Sequence, residues 1–157
     1  ASGDQTGYYF GRGSPIWKVK SNISFDWDKG DWGATLGVRY TSSLKDSCSA
    51  PRRVGNNLGD TSLYNLCSDP YVVDYRFTSY VSDAEAAGLN QGVNKLGSRF
   101  YFDLQGRWKA PWDATVSLGI RNLTDRDPPV SYEVTNSFEP AYDIPGRFWY
   151  MSYTQKF

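Results

Sequence analysis

The sequence predicts an all-β protein: the last five strands of a larger antiparallel transmembrane β-barrel. Three observations predict it. Aromatic side chains make up 17% of the 157 residues, yet mean hydropathy is −0.57. Large rings on a polar background suit a sheet with one apolar and one wet face. Five segments alternate with period two, each longer than the roughly 5–6 residues usual in globular strands. The links between them are lopsided, two short and two long.

The first segment runs from Ile16 to Asp28, with Trp17, Val19, Ile23, Phe25 and Trp27 against Lys18, Lys20, Asn22, Ser24 and Asp26. The second, Trp32 to Leu44, sets Trp32, Ala34, Leu36, Val38 and Tyr40 against Thr35, Arg39 and Thr41. In the third, Leu96 to Lys109, Phe100, Phe102, Leu104 and Trp108 oppose Arg99, Tyr101, Asp103, Gln105 and Arg107. The fourth, Trp112 to Thr124, carries Ala114, Val116, Leu118 and Ile120 against Thr115, Ser117 and Arg121. The fifth, Gly146 to Phe157, carries Trp149, Met151, Tyr153 and Phe157 against Tyr150, Ser152, Thr154 and Lys156. A tilted strand of about 9–11 residues crosses a bilayer, and these are long enough. Between the second and third, Tyr71 to Val81 also alternates and fits a loop hairpin. Asp83-Ala84-Glu85-Ala86 suits a helix start within Ser82 to Leu89.

All six tryptophans, Trp17, Trp27, Trp32, Trp108, Trp112 and Trp149, fall on the apolar side. Trp27 and Trp32 flank Lys29-Gly30-Asp31; Trp108 and Trp112 flank Ala110-Pro111. Tryptophan at the ends of spanning strands forms an interfacial girdle; the alternative is a set of rings capping a soluble sheet. With short turns periplasmic, residues 45–95 and 125–145 become extracellular loops, and the C-terminus faces the periplasm. On the wet side Lys18, Lys20, Arg39, Arg99, Arg107 and Arg121 line the expected lumen. They are either a basic wall for an anionic ligand or solvated charges that pair with a plug.

Seventeen basic residues balance seventeen acidic ones, which argues against a nucleic-acid binder working by bulk charge. With no His in the chain, the commonest general base and metal ligand are missing. No catalytic constellation, metal set or cofactor site stands out, so no enzyme is expected. No apolar run of about 18 residues suggests a membrane helix. Ala1 to Phe10 lacks the regions of a signal peptide, so an export signal is expected upstream. Cys48 and Cys67, in a polar stretch, read as a disulfide that stabilises by about 3 kcal/mol in the chain-entropy model; the alternative is two free thiols. Five strands fall short of the roughly eight that closure needs, so the chain is expected to be part of a longer barrel.

The run Gly119-Ile120-Arg121-Asn122-Leu123-Thr124-Asp125-Arg126-Asp127-Pro128-Pro129, then Tyr142-Asp143-Ile144-Pro145-Gly146-Arg147 and the closing strand to Phe157, resembles the C-terminus of a TonB-dependent outer-membrane receptor. Ile16 to Leu44, with Phe25-Asp26-Trp27-Asp28, is similar to these receptors too. The resemblance implies a 22-stranded barrel around an N-terminal plug. It implies energy from the TonB complex and uptake of a scarce nutrient such as a siderophore, cobalamin or oligosaccharide. Its implied partners are the plug and upstream barrel, membrane lipid and lipopolysaccharide, and the barrel assembly machinery. That machinery would read Trp149, Met151, Tyr153 and Phe157 as the terminal signal. Gln155 departs from the family pattern, which has an aromatic there. Two other readings stay open: a secreted β-sandwich module binding carbohydrate, and a passive outer-membrane porin.

Overall fold

The computed structural model describes residues 4–9, 15–72, 74, 92–132, 142 and 146–156. In chain order these form β1 (Lys20–Lys29), β2 (Trp32–Thr41), β3 (Leu44–Ser47), helix α1 (Ser49–Leu58), a 3₁₀ turn (Thr61–Leu66), β4 (Val93–Leu96), β5 (Arg99–Ala110), β6 (Ala114–Arg121) and β7 (Phe148–Gln155). The protein is mostly antiparallel sheet, as the alternation requires. The strands divide between two compact units.

The sheet unit, Val19–Thr41, Arg99–Asp127 and Asp143–Phe157, holds one five-stranded antiparallel sheet in the order β1-β2-β5-β6-β7. It is open, with β1 and β7 as its edges. Two turns set its register. Lys29 pairs with Trp32 across Gly30-Asp31, and Gly30 takes φ +59, as the first central residue of a II′-type hairpin does. Ala110 pairs with Ala114 across Pro111, Trp112 and Asp113. Proline presets φ at the start, and the left-handed Asp113 (φ +58) closes the three-residue loop. The Lys109 N–H donates to the Asp31 carbonyl at 2.7 Å and ties the two turns together.

Each strand is shorter than its alternating segment. β6 stops at Arg121 because Asn122 turns left-handed (φ +50) and folds its side chain back. The Asn122 amide donates to the Arg126 carbonyl at 3.0 Å, and its oxygen accepts the Arg126 N–H at 2.9 Å. β7 starts at Phe148, where the Arg147 N–H donates to Asp125 at 2.8 Å. The first segment is corrected most. Gly7 N–H donates to the Ile16 carbonyl at 2.6 Å, and Ile16 N–H to the Tyr8 carbonyl at 3.3 Å. Ile16 is thereby taken up by a different bridge, so β1 begins at Lys20.

The loop unit, Ala1–Lys18, Ser42–Ser98 and Pro128–Tyr142, pairs β3 with β4. Its core is Tyr9, Leu44 and Leu96, with Trp17 packed against them and Tyr142 edge-on to Trp17 at 6.0 Å. Leu44 and Leu96, expected in the second and third spanning strands, instead belong to this β3–β4 ladder. Cys48 and Cys67 form the disulfide, with Cα atoms 5.9 Å apart, and bracket α1 and the 3₁₀ turn. The expected hairpin at Tyr71 to Val81 lies largely outside the described residues, and the expected helix at Ser82 to Leu89 wholly so.

Candidate functional site

Register across the sheet unit aligns apolar side chains into rows. Phe25, Leu36, Leu104, Ile120 and Trp149 form one; Trp27, Ala34, Gly106, Leu118 and Met151 form the next. Trp32, Trp108, Val116 and Tyr153 form a third beside the turns, and Tyr40 with Phe100 a fourth at the other end. Most of the large side chains in these rows are exposed, Trp32 at 61% and Met151 at 73%, and the others, such as Leu36, Trp108 and Ile120, are half-buried. Aromatic pairs close both ends. Trp32 stacks on Trp108 at 5.8 Å, which meets Trp112 edge-on at 5.5 Å; Tyr40 lies 4.6 Å from Phe100. At Gly106 the face dips into a hollow of about 440 Å³ lined by Leu104, Trp108, Leu118 and Trp149 among others.

The opposite face is polar and bonded to itself. Arg39 grips Asp103 with two bonds, 2.7 and 3.0 Å, and stacks on Tyr101. Asp103 also accepts the Asn122 N–H at 2.9 Å. Arg107 pairs with Asp28 at 2.5 Å and donates to the Thr35 hydroxyl at 3.1 Å, which in turn donates to Asp26 at 2.6 Å. Room for these side chains comes from the neighbouring strand: a Cβ at Gly33 would meet Arg107, and one at Gly119 would meet Tyr150.

The expected site residues therefore separate. Trp27, Trp32, Trp108, Trp112 and Trp149 stay with the sheet unit, Trp112 in its second turn. Trp17 does not; it is part of the loop-unit core. Lys18 likewise leaves the wet face and lines a hollow in the loop unit. Lys20, Arg39, Arg99, Arg107 and Arg121 keep the polar parity. Arg39 and Arg107 discharge onto carboxylates within the sheet, and Arg99 donates to the Asp127 carbonyl at 3.2 Å. Asp103, which shares the wet face in the alternation, is the Arg39 partner, and Asp28 takes Arg107.

Trp149, Met151 and Tyr153 share the apolar face of β7, while Phe157 lies outside the described residues. Gln155 is on the same face, and its oxygen accepts the Tyr153 hydroxyl at 2.8 Å; Trp112 donates to that hydroxyl at 3.3 Å. The polar residue that breaks the terminal pattern is thus held by Tyr153, which Trp112 engages in turn. In the loop unit, Arg52 and Tyr142 are buried at 6% and 3%. Arg52 lies between the rings of Tyr64 and Tyr71, at 4.7 and 5.4 Å, and donates to the Pro70 carbonyl. Among the described residues, no cluster of three or more His, Cys, Asp or Glu stands ready for a metal. No known protein family, curated protein or solved structure matches the chain.

Proposed function

We propose that this chain is a sector of the wall of a transmembrane β-barrel in the bacterial outer membrane, part of a transporter of the TonB-dependent kind that takes up a scarce nutrient. The observation that carries the reading is the polarity of the sheet. Its apolar face presents exposed side chains on all five strands, and its charged face is bonded to itself. A soluble sheet has the reverse order, and a patch this size on a monomer is an interaction surface. From Tyr40 to Trp32 the face runs roughly 27 Å along β2. At a tilt of about 40° that is roughly 20 Å of height, close to the apolar band of about 25 Å in outer-membrane barrels.

The open edges at β1 and β7 fit a barrel completed by further strands, since lipid tolerates no free edge. The transporter class rests on the resemblance of residues 119–129 and 142–157. Analytical sedimentation of the folded chain tests the membrane reading. The expected outcome is a monodisperse species only in detergent micelles or nanodiscs and aggregation without them. A monodisperse monomer in plain buffer would sink it and favour the secreted β-sandwich.

A further inference from the structure

Three lysines, Lys18, Lys45 and Lys95, line one polar hollow of about 530 Å³ in the loop unit. Their arrangement is costly. Lys45 and Lys95 are register partners on β3 and β4, so two like charges stand directly opposite on one face. Each is exposed, and none of the three forms an ion pair among the described residues. Asp4 and Asp69 also line the hollow, but Asp4 is engaged by the Thr6 amide and hydroxyl at 2.9 and 2.8 Å.

The backbone beneath is fixed. Lys45 N–H donates to the Gly7 carbonyl at 2.7 Å, and the Lys45 carbonyl accepts the Tyr9 N–H at 2.8 Å. The Lys45 ammonium sits 5.6 Å from the centre of the Tyr8 ring, and Tyr8 is buried. The Lys95 N–H donates to the Ser68 hydroxyl at 2.9 Å. Lys18 crosses Gly7, where a Cβ would stand 2.9 Å from its Cε. Three cations therefore share one hollow with two carboxylates, Asp4 and Asp69, and one aromatic ring, Tyr8, which leaves it with a net positive charge.

We propose that this hollow is a binding site for a phosphate-bearing anion, with Lys18, Lys45 and Lys95 as its charged contacts and the Ser42 and Ser43 hydroxyls beside them. Phosphate is favoured over carboxylate because the cations are all lysine. Ammonium groups are point charges that surround a tetrahedral anion, while planar carboxylates are matched by the two-pronged guanidinium, which the hollow lacks. The volume suits a small ligand or one headgroup. The site stands on the loop unit alone and holds whether or not the sheet faces lipid.

The test is isothermal titration of the folded, disulfide-bonded chain in detergent with inorganic pyrophosphate, alongside flotation with vesicles carrying a phosphate-monoester lipid. Saturable binding is expected with at least one probe. K45Q or K95Q should weaken it about tenfold, as loss of one charge-assisted contact does. K109Q, whose exposed lysine is outside the hollow, should leave it unchanged. Without the probe, K95Q should melt no lower than the parent, because it relieves the repulsion; this also certifies that the variant folds. Pyrophosphate binding assigns the site to a free phosphate compound, and vesicle binding alone assigns it to a lipid headgroup. The proposal is overturned if neither probe saturates, if sodium chloride at equal ionic strength has the same effect, or if K45Q and K95Q bind like the parent.

Discussion

Asp103 carries more of the sheet than any other single polar residue described. It closes two bonds to Arg39 on β2 and accepts the amide that starts the Asn122 turn. Both partners of the ion pair are about three-quarters covered, so the pair exceeds an exposed surface bridge without reaching the cost of a deeply buried one. Asp103→Ala should destabilise the folded chain by about 2 kcal/mol, the range for bonds to a charged group. Urea unfolding in detergent measures it. Asp103→Asn should recover part of the loss, because an amide oxygen still accepts from Asn122. Sequence alternation places Asp103 and Arg39 on the wet face but does not reveal that they meet. That depends on β2 and β5 being neighbours, and residues 42–98 separate them along the chain.

At the level of elements, the 3₁₀ turn depends on the residue that caps it, Asp60. The Ser62 hydroxyl and then the Ser62 amide donate to Asp60, at 2.6 and 2.9 Å, and hold its carboxyl below the usual aspartate range. A carboxyl lowered by folding contributes stability above its unfolded pKa, about 3.9, and loses it as pH falls through the lower folded value. Asp60→Asn keeps a capping oxygen but should remove this part of the acid sensitivity. Amide exchange of Thr61–Leu66, compared above and below pH 4, reads the difference. The five sheet strands were legible in the sequence because period two persists over each of them. Their ends were less so. Asn122 reads as one more strand residue until its side chain is seen closing onto Arg126, and Ile16 reads as strand until Gly7 and Tyr8 are seen to bind it. The loop unit was the least legible. Of its contents, the Cys48–Cys67 pairing could be read from composition and spacing, whereas Lys45 and Lys95 become opposite only through the β3–β4 pairing.

For the whole molecule, the question is which solvent the apolar face meets, and one substitution separates the answers. Leu118 is 53% exposed in the middle of that face. If water covers it, Leu118→Arg is a surface change within about 0.5 kcal/mol. If hydrocarbon covers it, the cost is about 2–4 kcal/mol near the midplane. We expect the larger value, read as loss of the folded, protease-resistant form in lipid vesicles. Thr154→Arg, at an exposed position on the polar face of β7, should fold normally in the same vesicles.

The pairing of β3 with β4 has a consequence for how the chain finds its fold. β2 must join β5 across residues 42–98, and a floppy loop of that length resists closure through its entropy. Once Leu44 has met Leu96, only Ser42, Ser43, Gly97 and Ser98 remain to be closed. Each halving of a loop saves about 0.6 kcal/mol, so the shortening is worth about 2 kcal/mol to the encounter of β2 with β5. The long insertion then acts as a clasp that draws two distant strands within reach of each other before they pair.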